Sequence, residues 1–387
     1  MHQMQILLCP DSFKDCMSAK EVCDNMADAL LHIFPNAQIN KLPLADGGEG
    51  FVETILASVN GKLISVNVNN PIGNKITANY AIIDNDTTAV IEIAQACGLE
   101  LLQPEKRNPL FTTTYGVGEL IKDALDHHVK KIIIGLGGSA TNDGGAGMLQ
   151  ALGAKFCDSF GNTLQHGGIH LAKLKHIDLS QLDSRLASIE LIIACDVNNP
   201  LLGTSGASHV FAQQKGATTE MIPLLESALQ NYAQIVLDNC RINISDKAGS
   251  GAAGGLGAGL LLINGKIQSG IEIVAKLCQL EQKIIASNLV FSGEGSIDEQ
   301  TTHGKTISGI AQLCKKHKKP LIVICGKTSG NLQRLYQNGV SAVFSISNGF
   351  ASKSEAFANT ADNIQATMQN IARTIFLLKS QTRKKNF

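Results

Sequence analysis

Near the start of the chain, apolar positions switch between the period of a strand and the period of a helix. Residues 5–9 form a short apolar run, and from 19 to 34 apolar residues recur every three or four positions. Ser18 and Glu21 form a capping box that marks the beginning of this helix. A strand over 37–44 and a helix over 51–59 follow, so the pattern predicts repeated strand–helix units.

The end of the chain repeats this order. Ser352 and Glu355 form a second capping box, and it opens a last helix whose apolar positions recur every three or four residues up to 378. Before that helix, the pattern predicts strands at 289–292, 320–325 and 342–346, and a helix over 305–317. Alternating strands and helices at both ends are typical of a parallel, doubly wound sheet.

The middle of the chain has a different pattern, because strand-like runs there follow one another directly. The strand-like runs are 63–68, 76–83 and 89–94. They are followed by a helix over 116–127, a strand at 131–135, a long irregular segment to 187 and a final strand at 189–194. We therefore predict an α/β protein with a discontinuous first domain, 1–62 plus 285–387. A mixed α/β domain, 63–284, is inserted into it.

The composition of the chain argues against some classes of function. The 387 residues carry no formal net charge, and only 4% are aromatic, which argues against broad nucleic-acid binding. The ten cysteines lie singly and form no metal-binding pairs, as expected of a reduced, cytoplasmic protein. The longest apolar run, 252–263, is too short and too rich in glycine to cross a bilayer. We expect neither a nucleic acid nor a membrane as partner.

Acidic residues follow several predicted strands and lie in or beside loops rich in glycine. In an open α/β sheet, ligands bind at the carboxyl ends of the strands. A single aspartate there is more often a turn or capping residue, but five together favour a functional cleft: Asp11, Asp46, Asp143, Asp196 and Asp298. The segment 290–306 adds Glu294 and Lys305, which suit a metal ion and a phosphate.

Two common nucleotide motifs fit poorly. Residues 135–140 match G-x-G-x-x-A after a strand, but the polar residues and glycines that follow weaken the helix that a dinucleotide site requires. The two Gly-Lys-Thr triplets, at 304–306 and 326–328, lack the earlier glycine of a P-loop. Phosphate binding at a helix N-terminus does not depend on either motif.

Taken in order, the motif blocks resemble the type I (bacterial) glycerate kinases over nearly the whole chain. The matching blocks are 10–14 (PDSFK), 45–50 (ADGGEG), 137–145 (GGSATNDGG), 195–201 (CDVNNPL), 214–217 (QKGA), 251–255 (GAAGG) and 293–305, which holds Glu294, Asp298 and Lys305. The resemblance implies a flavodoxin-like domain built from both chain ends. It also implies phosphorylation of D-glycerate by ATP with Mg²⁺, giving 2-phosphoglycerate or 3-phosphoglycerate.

We assign roles to the matching residues as a hypothesis. The catalytic candidates are Asp196 and Asp298, one of which would accept the hydroxyl proton, together with Lys14 and Lys305. Asp46 and Glu294 are the candidate Mg²⁺ ligands. The candidate substrate- and nucleotide-binding residues are Asp11, Ser12, Gly47, Gly48, Gly137, Gly138, Ser139, Thr141, Asn142, Asp143, Gly251, Gly254, Gly293 and Thr301. Because these blocks come from both predicted domains, we expect a cleft that closes on its substrate.

Other functions stay open at this point. A kinase for another small hydroxy acid, an NAD-dependent dehydrogenase and a non-enzymatic nucleotide-binding regulator are the alternatives. The number of acidic loops favours an enzyme over a passive binder. We expect D-glycerate and ATP as small-molecule partners, with a homodimer as one compatible assembly.

Overall fold

The computed structural model describes residues 3–13, 16–45, 48, 50–297, 306–347, 349 and 352–384. The chain separates into two compact units. Unit 1 comprises Met1–Asp46 and Ile271–Phe387, and unit 2 is Gly47–Gly270. The predicted domain boundaries, 1–62 plus 285–387 for the first domain and 63–284 for the inserted one, stay a prediction.

Strands and helices are numbered in chain order. The strands are β1 (Gln5–Leu8), β2 (Gln38–Lys41), β3 (Gly61–Asn69), β4 (Lys75–Ile83), β5 (Thr88–Glu92), β6 (Lys131–Gly135), β7 (Lys155–Cys157), β8 (His176–Asp178), β9 (Glu190–Ala194), β10 (Lys266–Gln268), β11 (Leu289–Ile297), β12 (Leu321–Thr328) and β13 (Ala342–Ser345). The helices are α1 (Ala19–Ile33), α2 (Phe51–Leu56), α3 (Ala94–Cys97), α4 (Tyr115–Asp126), α5 (Ala146–Ala151), α6 (Ala207–Phe211), α7 (Met221–Cys240), α8 (Ala252–Leu262), α9 (Gly270–Leu277), α10 (Leu280–Ala286), α11 (Thr306–Lys316), α12 (Gln333–Gln337), α13 (Lys353–Ala358) and α14 (Thr360–Lys384).

Unit 1 is built on a parallel sheet with the order β13-β12-β11-β1-β2. This is the flavodoxin-like order, so the predicted fold class is confirmed. The central strands are apolar on both faces, as strands covered by helices must be, and Ile6, Leu8 and Phe291 are fully buried. Residues of α1 and α14 complete the same hydrophobic core.

Unit 2 is built on a mixed sheet with the order β10-β9-β6-β5-β4-β3. The strands β5, β6, β9 and β10 are parallel, whereas β3 and β4 pair antiparallel and β4 pairs antiparallel with β5. The consecutive strand runs in the sequence correspond to the antiparallel part. The parallel part brings the carboxyl ends of four strands to one edge.

Two predicted elements differ from the structure. The last helix is two helices, because the backbone of Asn359 leaves helical geometry after α13 and the buried Thr360 opens α14. The segment predicted as irregular contains α5 and the antiparallel pair β7–β8. Three-residue strands are too short to show a hydrophobic period, and the glycines next to α5 hide its helical pattern in the sequence.

Both predicted capping boxes are present. The backbone N–H of Glu21 donates to Ser18 Oγ over 3.3 Å, and the N–H of Ser18 donates to the Glu21 carboxylate over 2.9 Å. Ser352 and Glu355 make the same pair of bonds at the start of α13. Within the described ranges, no helix combines the length and the apolar character needed to cross a membrane.

The capping boxes give a stability prediction. Ser18→Ala should lower the free energy of unfolding by about 1 kcal/mol, because α1 packs into the core of unit 1 and loses a side-chain cap. Ser352→Ala is the matched control. It should have a smaller effect, because α13 has only six residues and Phe357 within it is 37% exposed. Urea unfolding of both variants checks this, and an equal loss in both would contradict it.

Candidate functional site

In unit 1, the described site residues lie where the strand order reverses, between β1 and β11. The N–H of Asp11 donates to the carbonyl of Gly293 over 2.8 Å, so the ends of these two strands are joined. The Asp11 carboxylate accepts from Ser12 N–H at 2.6 Å and from the Thr306 hydroxyl at 3.0 Å. Such a reversal point is where open α/β sheets bind ligands. Asp11, Ser12 and Gly293 are therefore brought together as a group.

Glu294 follows Gly293 on β11. It is half-buried and lies beside Cys325 of β12 in the parallel register. Burial raises the pKa of the Cys325 thiol to about 12, and the negative charge of Glu294 adds to this effect. A partly exposed carboxylate at a strand's carboxyl end is chemically suited to Mg²⁺ or to a water molecule bound to it. Gly48, which is one of two described glycines of the 45–50 block, accepts from Phe51 N–H at the start of α2 over 3.3 Å.

Several predicted site residues lie outside the described ranges. They are Lys14, Asp46, Gly47, Asp298, Thr301 and Lys305. Their proposed roles stay predictions. Within the described residues, no cluster of three or more metal-ligating side chains occurs.

In unit 2, the loop 136–145 leaves the carboxyl end of β6. The backbone of its first half is fixed by the neighbouring loop, since Leu99 N–H donates to Gly138 O and Ala140 N–H donates to Cys97 O, both over 2.8 Å. The Thr112 hydroxyl donates to Ala140 O, also over 2.8 Å. Gly137, Gly138 and Ser139 are thus held at the edge of the sheet where β5, β6 and β9 end.

The side chain of Lys215 lies beneath this loop. It is only 2% exposed, and its Nζ donates to Ser139 Oγ at 2.9 Å and to Thr141 O at 2.7 Å. Burial lowers the pKa of Lys215 to about 8, while nearby Cys97 and Asp143 partly oppose that shift. In the sequence, Lys215 lies in the QKGA block (214–217), for which no individual role was predicted. Nothing in the local sequence distinguishes it from a solvated lysine.

The side chain of Asp143 is buried in the interior of unit 2. Its carboxylate accepts from the N–H and the hydroxyl of Thr114 at 2.9 Å each, from Gly145 N–H at 3.1 Å and from Gly147 N–H at 3.2 Å. Burial raises its pKa above the ordinary value despite these bonds. Asp143 thus organises the turn into α5, and its predicted contact with a ligand stays a prediction.

The neighbouring Asn142 is fully buried. Its Nδ2 donates to Ser208 Oγ over 3.2 Å, while its Oδ1 has no hydrogen-bond partner among the described residues. Thr141 is buried as well and directs its carbonyl to Lys215. Both predicted side chains therefore face the interior of unit 2.

The segment 251–255 packs against the same loop. Gly144 N–H donates to Gly254 O over 3.0 Å, and Gly251 N–H donates to Asn199 O, also over 3.0 Å. Gly254 has a left-handed backbone with φ of 68°, and a Cβ there would collide with Thr141 O. Only glycine allows the two segments to approach this closely. The predicted glycines thus form a close backbone contact in unit 2.

Asp196 follows β9. Its Oδ1 accepts from the Ser269 hydroxyl at 2.7 Å and from Gly270 N–H at 3.0 Å. One carboxylate oxygen is therefore engaged by the residues that follow β10. This geometry is a capping interaction at the first residue of α9.

The dinucleotide alternative finds no support in this geometry. A dinucleotide fingerprint requires a helix that starts within the motif, whereas here the first helix after β6 begins at Ala146. Asp158 lies about twenty residues beyond this motif, where a dinucleotide site would have the acid that binds the ribose. Its carboxylate accepts from the N–H groups of Phe160 and Asn162 in its own turn.

The close approach at Gly254 gives a second prediction. Gly254→Ala should destabilise the protein by roughly 1–3 kcal/mol more than Gly203→Ala, because its Cβ meets a backbone carbonyl. Gly203 is the matched control, since it also has a left-handed backbone, with φ of 91°, but nothing lies near its Cβ position. Thermal or urea unfolding measures the difference. Equal destabilisation would show that the contact is not tight.

Comparison with known proteins agrees with this picture. Residues 6–376 match the model of a family described as the glycerate kinase family. Glycerate 2-kinase of Escherichia coli (strain K12) is 46% identical over 373 residues, covering 96% of this chain and 98% of the relative. Glycerate kinase of Bacillus subtilis (strain 168) is 43% identical over 378 residues, covering 97% and 99%.

A solved structure is similar over the same extent. The crystal structure described as glycerate kinase 2 from Salmonella typhimurium LT2 has 44% sequence identity and a TM-score of 0.83, covering 98% of this chain and all of that one. The expected glycerate kinase family and the expected enzyme class are confirmed, and the type I subclass stays a prediction. The chain, with its motif-bearing strand ends in both units, belongs to the glycerate kinase family.

Proposed function

We propose that this protein is a glycerate kinase of the type I (bacterial) class. It transfers the γ-phosphoryl group of ATP to a hydroxyl of D-glycerate and forms 2-phosphoglycerate. The observation that carries the proposal is the full-length match to relatives named glycerate kinase. The described blocks support it, because they lie at the carboxyl ends of parallel strands in each unit. The 2-position is taken from the relative named glycerate 2-kinase.

Unit 2 supplies the nucleotide phosphate loops in this proposal. The loops 137–145 and 251–255 offer backbone N–H groups, and the close glycine contact between them keeps both fixed before the nucleotide binds. Fixed donors do not have to be reorganised when charge develops on the transferred phosphoryl group.

Unit 1 supplies the acidic groups and lysines. Lys14 and Lys305 bind carboxylate or phosphate oxygens of the two substrates. Asp11 accepts from Ser12 and Thr306, and this fixes the start of the helix that follows Lys305. Glu294, together with Asp46, is suited to hold Mg²⁺, directly or through water, and the ion when bound would neutralise phosphate charge.

Of the two aspartates predicted as proton acceptors, we assign this role to Asp298. The Oδ1 of Asp196 already accepts two hydrogen bonds at the start of α9, so this aspartate serves to hold residues 269–270. Asp298 would orient the glycerate hydroxyl and remove its proton during transfer. We expect the enzyme in the cytoplasm, where its ten free cysteines stay reduced.

Phosphorus NMR tests the reaction. Purified protein with ATP, Mg²⁺ and D-glycerate should form ADP and a single phosphomonoester with the spectrum of 2-phosphoglycerate. D-Lactate and L-glycerate serve as comparison acceptors. Absence of ADP formation above the rate without acceptor would contradict the kinase proposal, and a 3-phosphoglycerate spectrum would contradict the assigned position.

Two asparagine variants test the proton acceptor. Asp298→Asn should lower kcat by about 10²–10⁴-fold, because an amide cannot accept the proton. Asp196→Asn should leave kcat near the wild-type value, because an amide oxygen can still accept from Ser269 and Gly270. Steady-state assays with circular dichroism as a folding check measure both. The opposite ranking of the two variants would transfer the role to Asp196.

A further inference from the structure

The buried ammonium group of Lys215 calls for an explanation beyond packing. A charged side chain that is 2% exposed loses its hydration, and this costs stability unless strong partners replace the water. Its two partners, Ser139 and Thr141, are neutral. Within the described residues, no carboxylate lies in ion-pair contact with Lys215. A neutral residue would satisfy these partners at lower cost, so the charge itself points to a use.

The direction of the hydrogen bond to Ser139 identifies that use. An ammonium group can only donate, so Ser139 Oγ is the acceptor of the 2.9 Å bond. The hydroxyl proton of Ser139 must then point away from Lys215. Within the described residues, this hydroxyl donates no hydrogen bond. The hydroxyl can therefore donate to an acceptor that the described residues do not supply.

The second bond fixes the loop at the same point. Thr141 O accepts from Lys215 at 2.7 Å, two residues beyond Ser139, so a single nitrogen holds both ends of the 139–141 turn. The positive charge also lies beneath a segment whose proposed partners are phosphate groups. In a desolvated site, such a charge acts on an anion with little screening.

We infer that Lys215 is a positioning residue for nucleotide binding, which directs the Ser139 hydroxyl towards a phosphate oxygen and places a fixed positive charge under the loop. Lys215 itself does not need to touch the nucleotide. This inference rests on the proposed function, because it takes the ligand of loop 137–145 to be the nucleotide phosphates. It adds a residue and a physical cause that the sequence motifs alone did not reveal.

Because Lys215 can lose its charge, its proposed role predicts that nucleotide binding depends on pH. A lysine with a purely structural role would not give this dependence. Its pKa is lowered to about 8, so the ammonium becomes a neutral amine in weakly alkaline solution. A neutral amine can still donate to Ser139 and Thr141, but the charge is lost. The titratable groups that face it are Asp143 and Cys97. Burial raises the pKa of the Cys97 thiol to about 12, so this thiol stays neutral in the range over which Lys215 loses its charge.

The effect on folding has the opposite sign. Because the pKa is lower in the folded state than the ordinary value of 10.5, the unfolded chain binds more protons between these values. The Lys215 contribution to stability therefore rises with pH over that interval, while its contribution to anion binding falls. If Lys215 only held the fold, anion binding would not fall over the interval in which stability rises.

Thr112 offers a matched control. Its hydroxyl donates to Ala140 O over 2.8 Å and is as buried as Lys215, but it carries no charge and does not contact Ser139. Thr112→Val removes a hydrogen bond to the same turn, and it leaves Lys215, which orients the Ser139 hydroxyl, in place.

The experiment measures binding of ADP with Mg²⁺ by isothermal titration calorimetry. Lys215→Met and Ser139→Ala should each weaken ADP binding by about tenfold or more, the range for a hydrogen bond to a charged group. Thr112→Val should weaken ADP binding much less, because the Ser139 hydroxyl keeps its orientation. The double variant should bind about as weakly as Lys215→Met alone, because the lysine acts through the serine.

A pH series on the folded wild-type protein and on Lys215→Met completes the test. Wild-type affinity for ADP should fall as the pH rises through about 8, where the ionisation of the nucleotide phosphate is already complete. Lys215→Met should lack this fall. If Lys215→Met does not fold, the wild-type pH series and Ser139→Ala alone decide the question.

Three results would overturn the inference. They are equal loss of affinity in Lys215→Met and Thr112→Val, additive effects in the double variant, and a wild-type affinity that does not change with pH. The ADP measurement does not require D-glycerate. A protein that binds ADP as expected but does not phosphorylate D-glycerate would contradict the proposed acceptor and leave the role of Lys215 intact.

Discussion

The parallel pairing of β1 with β11 is the constraint on which unit 1 depends. Ile6 lies beside Leu289 and Leu8 beside Phe291, although these residues come from opposite ends of the chain. β1 is an interior strand, so the first part of the chain cannot complete its sheet alone. The same pairing brings Asp11 next to Gly293 and creates the reversal point beside which Asp11 and Glu294 lie.

Unit 2 depends on a different constraint, because polar backbone groups are buried in the loop after β6. Every carbonyl that leaves water needs a donor, and here the donors come from distant segments. The Thr112 hydroxyl donates to the carbonyl of Ala140, Lys215 Nζ donates to that of Thr141, and the N–H of Leu99 donates to that of Gly138. A loop held in this way has little freedom left to lose when a ligand binds, and this favours affinity.

The aspartates illustrate how one sequence pattern can give different structural roles. Asp11, Asp143 and Asp196 all follow strands and lie in or beside loops with glycine, serine or asparagine. In the structure, Asp143 is buried and holds a turn, Asp196 caps a helix, and Asp11 joins two chain segments. Each carboxylate is used according to the N–H and O–H groups that surround it, and those groups come from elsewhere in the chain.

The sequence by itself determined the local elements and the positions of the glycine and acidic blocks. The strand and helix periods around 5–34, and the capping boxes at Ser18 and Ser352, depend on neighbouring residues and were correctly predicted. The family followed from the order of the blocks. The tertiary structure alone decided that the last helix is broken at Asn359, that β7 pairs with β8, and that Lys215 is buried under Ser139. These features depend on contacts between residues far apart in the chain, and no local period or spacing encodes such contacts.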